Sequence, residues 1–141
     1  MQRNKMARTI GQILDASKTI AVVGLSSDPM KPSYGVSEYM QRRGYRVIPV
    51  NPKETEVLGE KAYGRLEDIP EPVDIVNVFR RPAQTPEVAA SAVAIGAKAL
   101  WLQSDIENEE ARQIAEAGGL DVVMDRCILT EHRRHSSSAT R

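Results

Sequence analysis

One segment of this sequence combines residue types and spacing suited to holding a phosphate. Residues 20–33 read IAVVGLSSDPMKPS, which predicts a buried strand, a sharp turn at Gly24 and a polar loop that leads into a helix. The first N–H groups of a helix have no intrahelical partner and lie at the positive end of its dipole, so they attract anions. Gly24 allows close backbone approach, Ser26 offers a hydroxyl group and Lys31 a positive charge. A plain strand–helix turn with a solvated lysine is the alternative interpretation.

This segment and the strand that follows it lack the features that define a dinucleotide site. The loop has a single glycine instead of the G-x-G-x-x-G pattern. The second apolar strand ends in Val50-Asn51-Pro52-Lys53, where an NAD site has an acid that binds the ribose hydroxyls. A lysine there favours a phosphate on the ribose, although a surface lysine after a proline turn is the commoner case. A NAD(P)-binding protein of the same fold is retained as a disfavoured alternative.

Apolar runs and helical periodicities alternate along the chain and predict one α/β domain. Strands are expected at residues 19–23, 45–50, 73–79, 98–102 and 120–124. Helices are expected at residues 6–17, 107–117 and 127–134. Two more are expected, one from about residue 33 to a cap at Gly44 and one from a cap at Thr85 to residue 96. Near-continuous apolar strands indicate a parallel sheet with helices on both faces, which is a Rossmann-like, doubly wound, three-layer fold of about five strands. We divide the chain into an amphipathic helix packed on the domain (1–18), a ligand-binding domain (19–134) and a disordered polar tail (135–141).

Composition and charge narrow the class of protein. The chain has 141 residues, of which 41% are hydrophobic, and its 19 basic residues balance 19 acidic ones. A net charge of zero argues against a nucleic-acid-binding surface. No apolar run approaches the ~20 residues that span a membrane, and residues 1–18 are charged and unlike a signal peptide. Because Cys127 is the single cysteine, we expect no disulfide within the chain, and we predict a soluble cytoplasmic protein without nucleic-acid or membrane partners.

Further candidate ligand residues follow the third and fourth predicted strands, because ligands of open parallel sheets bind at the carboxyl ends of the strands. Phe79 and Arg80 could flank an adenine, and Gln103 offers an amide. Core packing of Phe79, solvation of Arg80 and loop capping by Gln103 are the alternatives. Catalytic patterns are scarce, since Cys127 has no histidine base placed beside it and the sequence lacks H-E-x-x-H and G-x-S-x-G. We therefore assign no catalytic residue and no metal ligand.

Six segments, taken in order, closely resemble the small single-domain CoA-binding protein family. They are VVGLSSDPMKPSYGVSEYM, GYRVIPVNPK, GEKAYGRLEDIP, VDIVNVFRRP, GAKALWLQSDIENEEA and VVMDRC. The match extends from about residue 15 to residue 134. The family is similar to the N-terminal CoA-binding domain of the succinyl-CoA synthetase α subunit.

The resemblance implies a Rossmann-like fold with coenzyme A lying across the strand ends. By position in the matching segments, it implies the following contacts: Gly24, Ser26 and Lys31 with the pyrophosphate; Val50, Asn51, Pro52 and Lys53 with the ribose and its 3′-phosphate; Phe79 and Arg80 with the adenine; and Gln103 with the pantetheine arm. The sequence has no segment like the one that carries the phosphorylatable active-site histidine of the synthetase, and it predicts no second domain. The synthetase chemistry therefore does not carry over. The expected function is non-catalytic binding of CoA or acyl-CoA. The alternatives are a NAD(P)-binding protein and a CoA-dependent subunit that docks on a protein partner in acyl-CoA metabolism.

Overall fold

The computed structural model describes residues 7–139, with the backbone alone for residues 138 and 139. Its strands are β1 (Thr19–Val23), β2 (Arg46–Val50), β3 (Glu56–Val57), β4 (Glu60–Lys61), β5 (Ile75–Val78), β6 (Ala99–Leu102) and β7 (Asp121–Val123). Its α-helices are α1 (Ile10–Ala16), α2 (Pro32–Arg42), α3 (Thr85–Ala94), α4 (Glu109–Ala117) and α5 (Ile128–Ala139). Short 3₁₀ turns occupy Leu66–Asp68 and Pro82–Gln84. Each predicted strand is present, although the second to fifth are shorter than expected.

The main sheet has five parallel strands in the order β2-β1-β5-β6-β7. The chain first adds β2 on one side of β1 and later adds β5 on the other side, so the strand order reverses at β1. In register, Val23 at the end of β1 lies between Val50 of β2 and Val78 of β5. The doubly wound sheet is therefore confirmed, and its switch point lies where β1 and β5 end. The strands β3 and β4 form a separate antiparallel hairpin.

Alternate residues of β1 point to the two faces of the sheet and form two cores. Ile20 and Val22 pack with α1, α2 and α5, whereas Ala21 and Val23 pack with α3 and α4. Trp101 on β6 is fully buried in the first of these cores, and its indole Nε1 donates to the Arg126 carbonyl at 2.8 Å. Buried apolar layers on both faces confirm the three-layer architecture.

The helix α2 is the element that most directly shapes the candidate site. It begins at Pro32, whose fixed φ suits the first helical position and whose missing N–H would lack a partner there anyway. It ends at the predicted glycine cap, because Gly44 has φ +100° and its N–H donates to the Gln41 carbonyl. The Tyr45 N–H donates to the Met40 carbonyl and completes a Schellman motif. At the other end of the helix, Ser33 Oγ accepts from the Ser26 N–H, which holds the N-terminus of α2 beside the carboxyl end of β1.

The predicted disordered tail is wrong for residues 135–139, because α5 continues to Ala139. His135 anchors this part of the helix on α1. Its ring lies against Gly11, where an added Cβ would be 2.7 Å from the His135 Cε1, and its Nε2 is 2.9 Å from Asp15 Oδ1. Residues 140 and 141 lie outside the described residues, as do residues 1–6 of the predicted N-terminal helix.

Several helix starts also differ from the prediction, among them that of α4, which begins at Glu109 instead of residue 107. α1 begins at Ile10 because Thr9 forms a capping box with Gln12. Thr85 is the first residue of α3 instead of its cap, and its hydroxyl donates to the Pro82 carbonyl at 2.7 Å. Across the described residues, none of the helices has the length and apolar character needed to cross a membrane.

Candidate functional site

Two adjoining cavities lie at the carboxyl ends of β1, β2 and β5. The first, here called the basic cavity, has a volume of about 380 Å³. Its lining includes eight of the ten residues predicted from the sequence: Gly24, Ser26, Lys31, Asn51, Pro52, Lys53, Phe79 and Arg80. The second, the adjoining cavity, has a volume of about 410 Å³ and is lined by Val50 among others. Pro52 and Arg80 line both, so the two cavities flank the switch point as a pair.

Backbone hydrogen bonds hold the three strand ends at the floor of the basic cavity together. The Gly24 N–H donates to the Val50 carbonyl at 2.8 Å, and the Phe79 N–H donates to the Val23 carbonyl at 2.8 Å. Gly24 has φ +92°, a conformation that residues with a Cβ adopt at a cost. The turn after β1 therefore leaves the sheet without separating from β2 or β5.

The loop after Gly24 is ordered by its own side chains. The Ser26 N–H donates to Ser33 Oγ at 3.1 Å, and Ser26 Oγ accepts from the Asp28 N–H at 3.0 Å. Lys31 occupies the N-cap position of α2, and its side chain makes no capping hydrogen bond. Lys31, Pro32 and Ser33 all line the basic cavity. The uncapped end of α2 therefore presents partial positive charge to the cavity, which suits an anionic ligand.

The turn after β2 is tied to this loop through Asn51. The Asn51 side chain is 9% exposed, and its Nδ2 donates to the Leu25 carbonyl at 3.1 Å. Its Oδ1 accepts from the Lys53 N–H at 3.0 Å. Both polar atoms of the amide are thus used within the protein, whereas the side chain of Lys53 remains exposed at the cavity.

Three cations surround the basic cavity, and none of them has a neutralising partner among the described residues. Within residues 7–139, no carboxylate oxygen lies within 4.0 Å of a side-chain nitrogen of Lys31, Lys53 or Arg80. No described lining residue of this cavity is acidic. Unpaired cations that converge on a cavity repel one another unless an anion joins them. The basic cavity is therefore suited to a ligand with more than one negative charge.

The adjoining cavity has a different character. Its lining combines apolar side chains with charged groups of both signs: Val23, Val50 and Val88, the carboxylates of Glu67 and Glu87, and the guanidinium groups of Arg65 and Arg80. The two carboxylates balance the two guanidinium groups, so this cavity lacks the excess of positive charge found in the basic cavity, and its apolar walls favour an uncharged or aromatic group. The two cavities together suit a ligand that is strongly anionic at one end and largely uncharged at the other.

Gln103 is the one predicted ligand residue that lies in neither cavity. It is 4% exposed, and its Oε1 accepts from the Ile128 N–H at 3.0 Å, where it caps the start of α5. The capping alternative considered for this residue concerned the loop directly after β6, whereas the amide caps the start of α5. Its side chain also hydrogen-bonds Cys127.

Cys127 is half-buried beside the N-terminus of α5. Burial raises the pKa of its thiol, but hydrogen bonds from Thr130, Gln103 and the Leu129 backbone outweigh burial and lower the pKa below its ordinary value. No cluster of three or more His, Cys, Asp and Glu side chains suited to a metal ion occurs among the described residues.

Sequence reasoning missed two groups of residues at the site. Pro32 and Ser33 belong to the start of α2, and their position directly after Lys31 was a usable signal. The adjoining cavity is formed by the 3₁₀ turn Leu66–Asp68 and by α3, which contribute Glu67 and Glu87. The strand-end rule did not select them, because neither directly follows a strand of the main sheet, although Glu67 stands in one of the six segments that resemble the CoA-binding family.

Comparison with known proteins gives a consistent family match. The sequence profile described as the CoA binding domain matches residues 18–133. The chain is 47% identical over 130 residues to the uncharacterized protein YneT of Bacillus subtilis, covering 92% of this chain and 96% of that protein. It is 29% identical over 119 residues to the ADP-forming acetate–CoA ligase II of Archaeoglobus fulgidus. That match covers 82% of this chain but only 18% of the ligase, so this chain spans a minor part of the enzyme.

Solved structures agree with the fold. A hypothetical protein from Pyrococcus horikoshii superposes with a TM-score of 0.89 at 39% identity, covering 96% of this chain and 98% of that one. A protein from Thermus thermophilus superposes with a TM-score of 0.84 at 40% identity, covering 88% of this chain and 94% of that one. The Rossmann-like architecture is thus shared over nearly the whole chain.

Proposed function

We propose that this chain, which belongs to the CoA-binding domain family, binds coenzyme A across the carboxyl ends of β1, β2 and β5. The observation that carries the proposal is the convergence of Lys31, Lys53 and Arg80 on one cavity without a carboxylate partner among the described residues. Coenzyme A carries a diphosphate and a 3′-phosphate at its nucleotide end and an uncharged pantetheine arm at the other. The pair of cavities offers the same division between charged and uncharged ends.

Within this proposal, the roles of the residues follow from their places. Lys31 and Ser26, beside the uncapped end of α2, bind the diphosphate, and Gly24 lets it approach the backbone. Lys53 binds the 3′-phosphate, and Phe79 with Arg80 lines the place of the adenine. Asn51 acts by holding Lys53 and the loop after β1, since both of its polar atoms are already engaged.

The direct test is a comparison of coenzyme A with NAD as stabilising ligands. A ligand at a hundredfold excess over its Kd stabilises the fold by about 2.7 kcal/mol. Coenzyme A should raise the thermal unfolding temperature clearly, and NAD at the same concentration should raise it much less. Lys98→Ala is the control variant. Lys98 is exposed before β6 and lines neither cavity, so this variant should respond to coenzyme A as the wild type does. An equal or larger shift with NAD would reject the proposal in favour of a NAD(P)-binding protein.

We further propose that the chain alone does not turn over acyl-CoA. Catalysis by a weak nucleophile needs an adjacent base, and the basic cavity contains serine hydroxyls without a histidine or carboxylate among its described lining residues. Acetyl-CoA incubated with the purified protein should remain intact, both alone and with ADP and phosphate. Turnover that disappears on a single cavity substitution would show that the chain is itself an enzyme.

A second candidate function is favoured by one of the matches. In the acetate–CoA ligase the matched segment is part of a much longer chain, so the same kind of domain operates there together with further protein. This chain would then bind coenzyme A while docked on a separate partner. Affinity purification with and without coenzyme A distinguishes the two candidates, because a CoA-dependent subunit should retain its partner only when the ligand is present. The Lys53→Ala variant should lose that dependence.

A further inference from the structure

We propose that Glu54 is a positioning residue for ligand binding, which fastens the loop after β1 to the turn that carries Lys53. This inference rests on the proposed function. The Glu54 Oε2 accepts hydrogen bonds from the Ser27 N–H at 2.9 Å and from the Ser27 hydroxyl at 3.1 Å. Glu54 directly follows Lys53, and Ser27 directly follows Ser26, so the contact joins the two segments that supply the ligand groups.

A second connection between the same segments lies deeper in the protein. The buried Asn51 amide joins the Leu25 carbonyl to the Lys53 N–H, with distances of 3.1 and 3.0 Å. The Glu54 N–H donates to the Asn51 carbonyl at 3.1 Å, so the turn from 51 to 54 is closed on itself. The loop and the turn are thereby joined both at the protein interior, through Asn51, and at the surface, through Glu54.

The position of the carboxylate indicates that it supports the site and does not occupy it. The lining of the basic cavity includes Ser26, Asn51 and Lys53, but neither Ser27 nor Glu54. The Ser27 donors that Glu54 uses are therefore not the donors that face the cavity. The charge of Glu54 still opposes a nearby phosphate, so its two effects on affinity have opposite signs.

The connection matters because the charged groups sit on two separate segments. Lys31 lies at the end of the loop and Lys53 lies within the turn, and no secondary structure joins those segments beyond the ends of β1 and β2. If they move independently, binding must order both, and the lost freedom weakens affinity. A fixed connection establishes the spacing of the two cations before the ligand arrives.

Two substitutions separate the connection from the charge. Glu54→Gln and Glu54→Ala both remove the negative charge, but glutamine retains an oxygen that accepts from Ser27. We expect Glu54→Ala to bind coenzyme A about threefold to tenfold more weakly than Glu54→Gln, as measured by titration calorimetry. Glu56→Ala is the charge control, because Glu56 is exposed on β3 and lines neither cavity. Its affinity should equal that of the wild type.

A measurement without ligand tests the connection itself. Hydrogen exchange of the Ser27 amide should be faster in Glu54→Ala than in Glu54→Gln, since the alanine variant leaves that N–H without its acceptor. If the wild type binds coenzyme A and the two Glu54 variants bind it equally, Glu54 has no positioning role. Tighter binding by Glu54→Ala than by Glu54→Gln would show instead that the connection obstructs the ligand. If the wild type itself fails to bind coenzyme A, the proposed function fails first and this inference fails with it.

Discussion

The Phe79 carbonyl oxygen lies directly against the α-carbon of Gly24, in the space that any other residue would fill with its Cβ. A Cβ built at Gly24 would approach that oxygen more closely than real Cβ atoms approach any heavy atom. The two residues directly follow neighbouring strands, β1 and β5, at the switch point of the sheet. The absence of a side chain at Gly24 therefore lets the two strand ends remain adjacent beneath the basic cavity.

The first prediction compares two glycines that both have a positive φ but differ in the atoms that surround them. Gly24 has φ +92° and is crowded by Phe79, whereas Gly44 has φ +100° with nothing within 4 Å of an added Cβ. Gly44→Ala should lower the free energy of unfolding by about 1 kcal/mol through backbone strain alone. Gly24→Ala adds the collision with a backbone atom and should lower it by roughly 3 kcal/mol or more. Urea denaturation of both variants measures this, and equal losses would show that crowding at Gly24 is relieved without cost.

The second prediction concerns how Lys53 recognises the ligand. The Asn51 side chain holds the Lys53 backbone in place, and the lysine side chain is exposed at the basic cavity. A hydrogen bond to a charged group contributes roughly 1.5–3 kcal/mol. Lys53→Ala should therefore weaken coenzyme A binding by about one to two decades. Dephospho-CoA lacks the 3′-phosphate, so its affinity should hardly change.

Titration calorimetry of the wild type and of Lys53→Ala, each with coenzyme A and with dephospho-CoA, completes this comparison. Equal weakening of the two ligands would mean that Lys53 contacts another part of coenzyme A. Arg80 would then be the next candidate for the 3′-phosphate, because it lines the same cavity without a carboxylate partner among the described residues.

The third prediction follows from the lowered pKa of Cys127. Its thiol is half-buried, but hydrogen bonds from Thr130 and Gln103 favour the thiolate. Alkylation by iodoacetamide should therefore show a pH midpoint below that of an ordinary cysteine thiol. Thr130→Val removes the hydroxyl group while keeping the side-chain shape, and it should move the midpoint upward. A midpoint at or above the ordinary value in the unmodified protein would contradict the prediction.

The fourth prediction concerns stability in mild acid. Burial, Arg43 and His135 lower the pKa of His132, and Asp15 only partly offsets them. His132 also joins α5 to α2, because its Nδ1 is 2.9 Å from the Tyr39 hydroxyl and its ring meets Tyr45 edge-on. Below the ordinary histidine pKa of about 6.5, the unfolded chain binds a proton that the folded His132 does not. The free energy of unfolding should therefore fall as the pH drops from about 6.5 toward the lowered pKa.

Chemical denaturation between neutral pH and mildly acidic pH measures this dependence. His132→Gln removes the titrating group and should flatten the curve over that interval, while His135→Gln controls for the other histidine. An unchanged slope in His132→Gln would assign the pH dependence to other groups.

Much of the fold was predictable because its signals are local. Alternating apolar runs predicted five parallel strands, Gly44 predicted the end of α2, and both are confirmed. The extent of α5 was not predictable, because its last turns are polar in sequence. These turns lie beside α1, where His135 contacts Gly11 and Asp15, which stand more than a hundred residues earlier in the chain. Contacts at such separation leave no periodicity in the local sequence.

The candidate site was likewise predictable from the sequence only in part. Residues that directly follow strands, such as Ser26, Lys53 and Arg80, could be selected by the rule that ligands bind at strand ends, and the structure brings them to one cavity. The same rule also selected Gln103, which the start of α5 engages as a cap. Residue type and place along the chain do not reveal whether an amide is already used. The contact between Glu54 and Ser27 was likewise invisible, because it depends on how two loops face each other.

The position of Trp101 makes this protein convenient for optical work. It is the only tryptophan in the sequence, and it is fully buried on β6, with its indole N–H bonded to the Arg126 carbonyl. β6 is separated from β1 by β5, and Trp101 lines neither the basic nor the adjoining cavity. Its emission should therefore report solvent entering the core on unfolding, with little direct quenching by a nucleotide at the strand ends. Denaturation curves recorded by fluorescence with and without coenzyme A can then be compared without correction for a ligand signal.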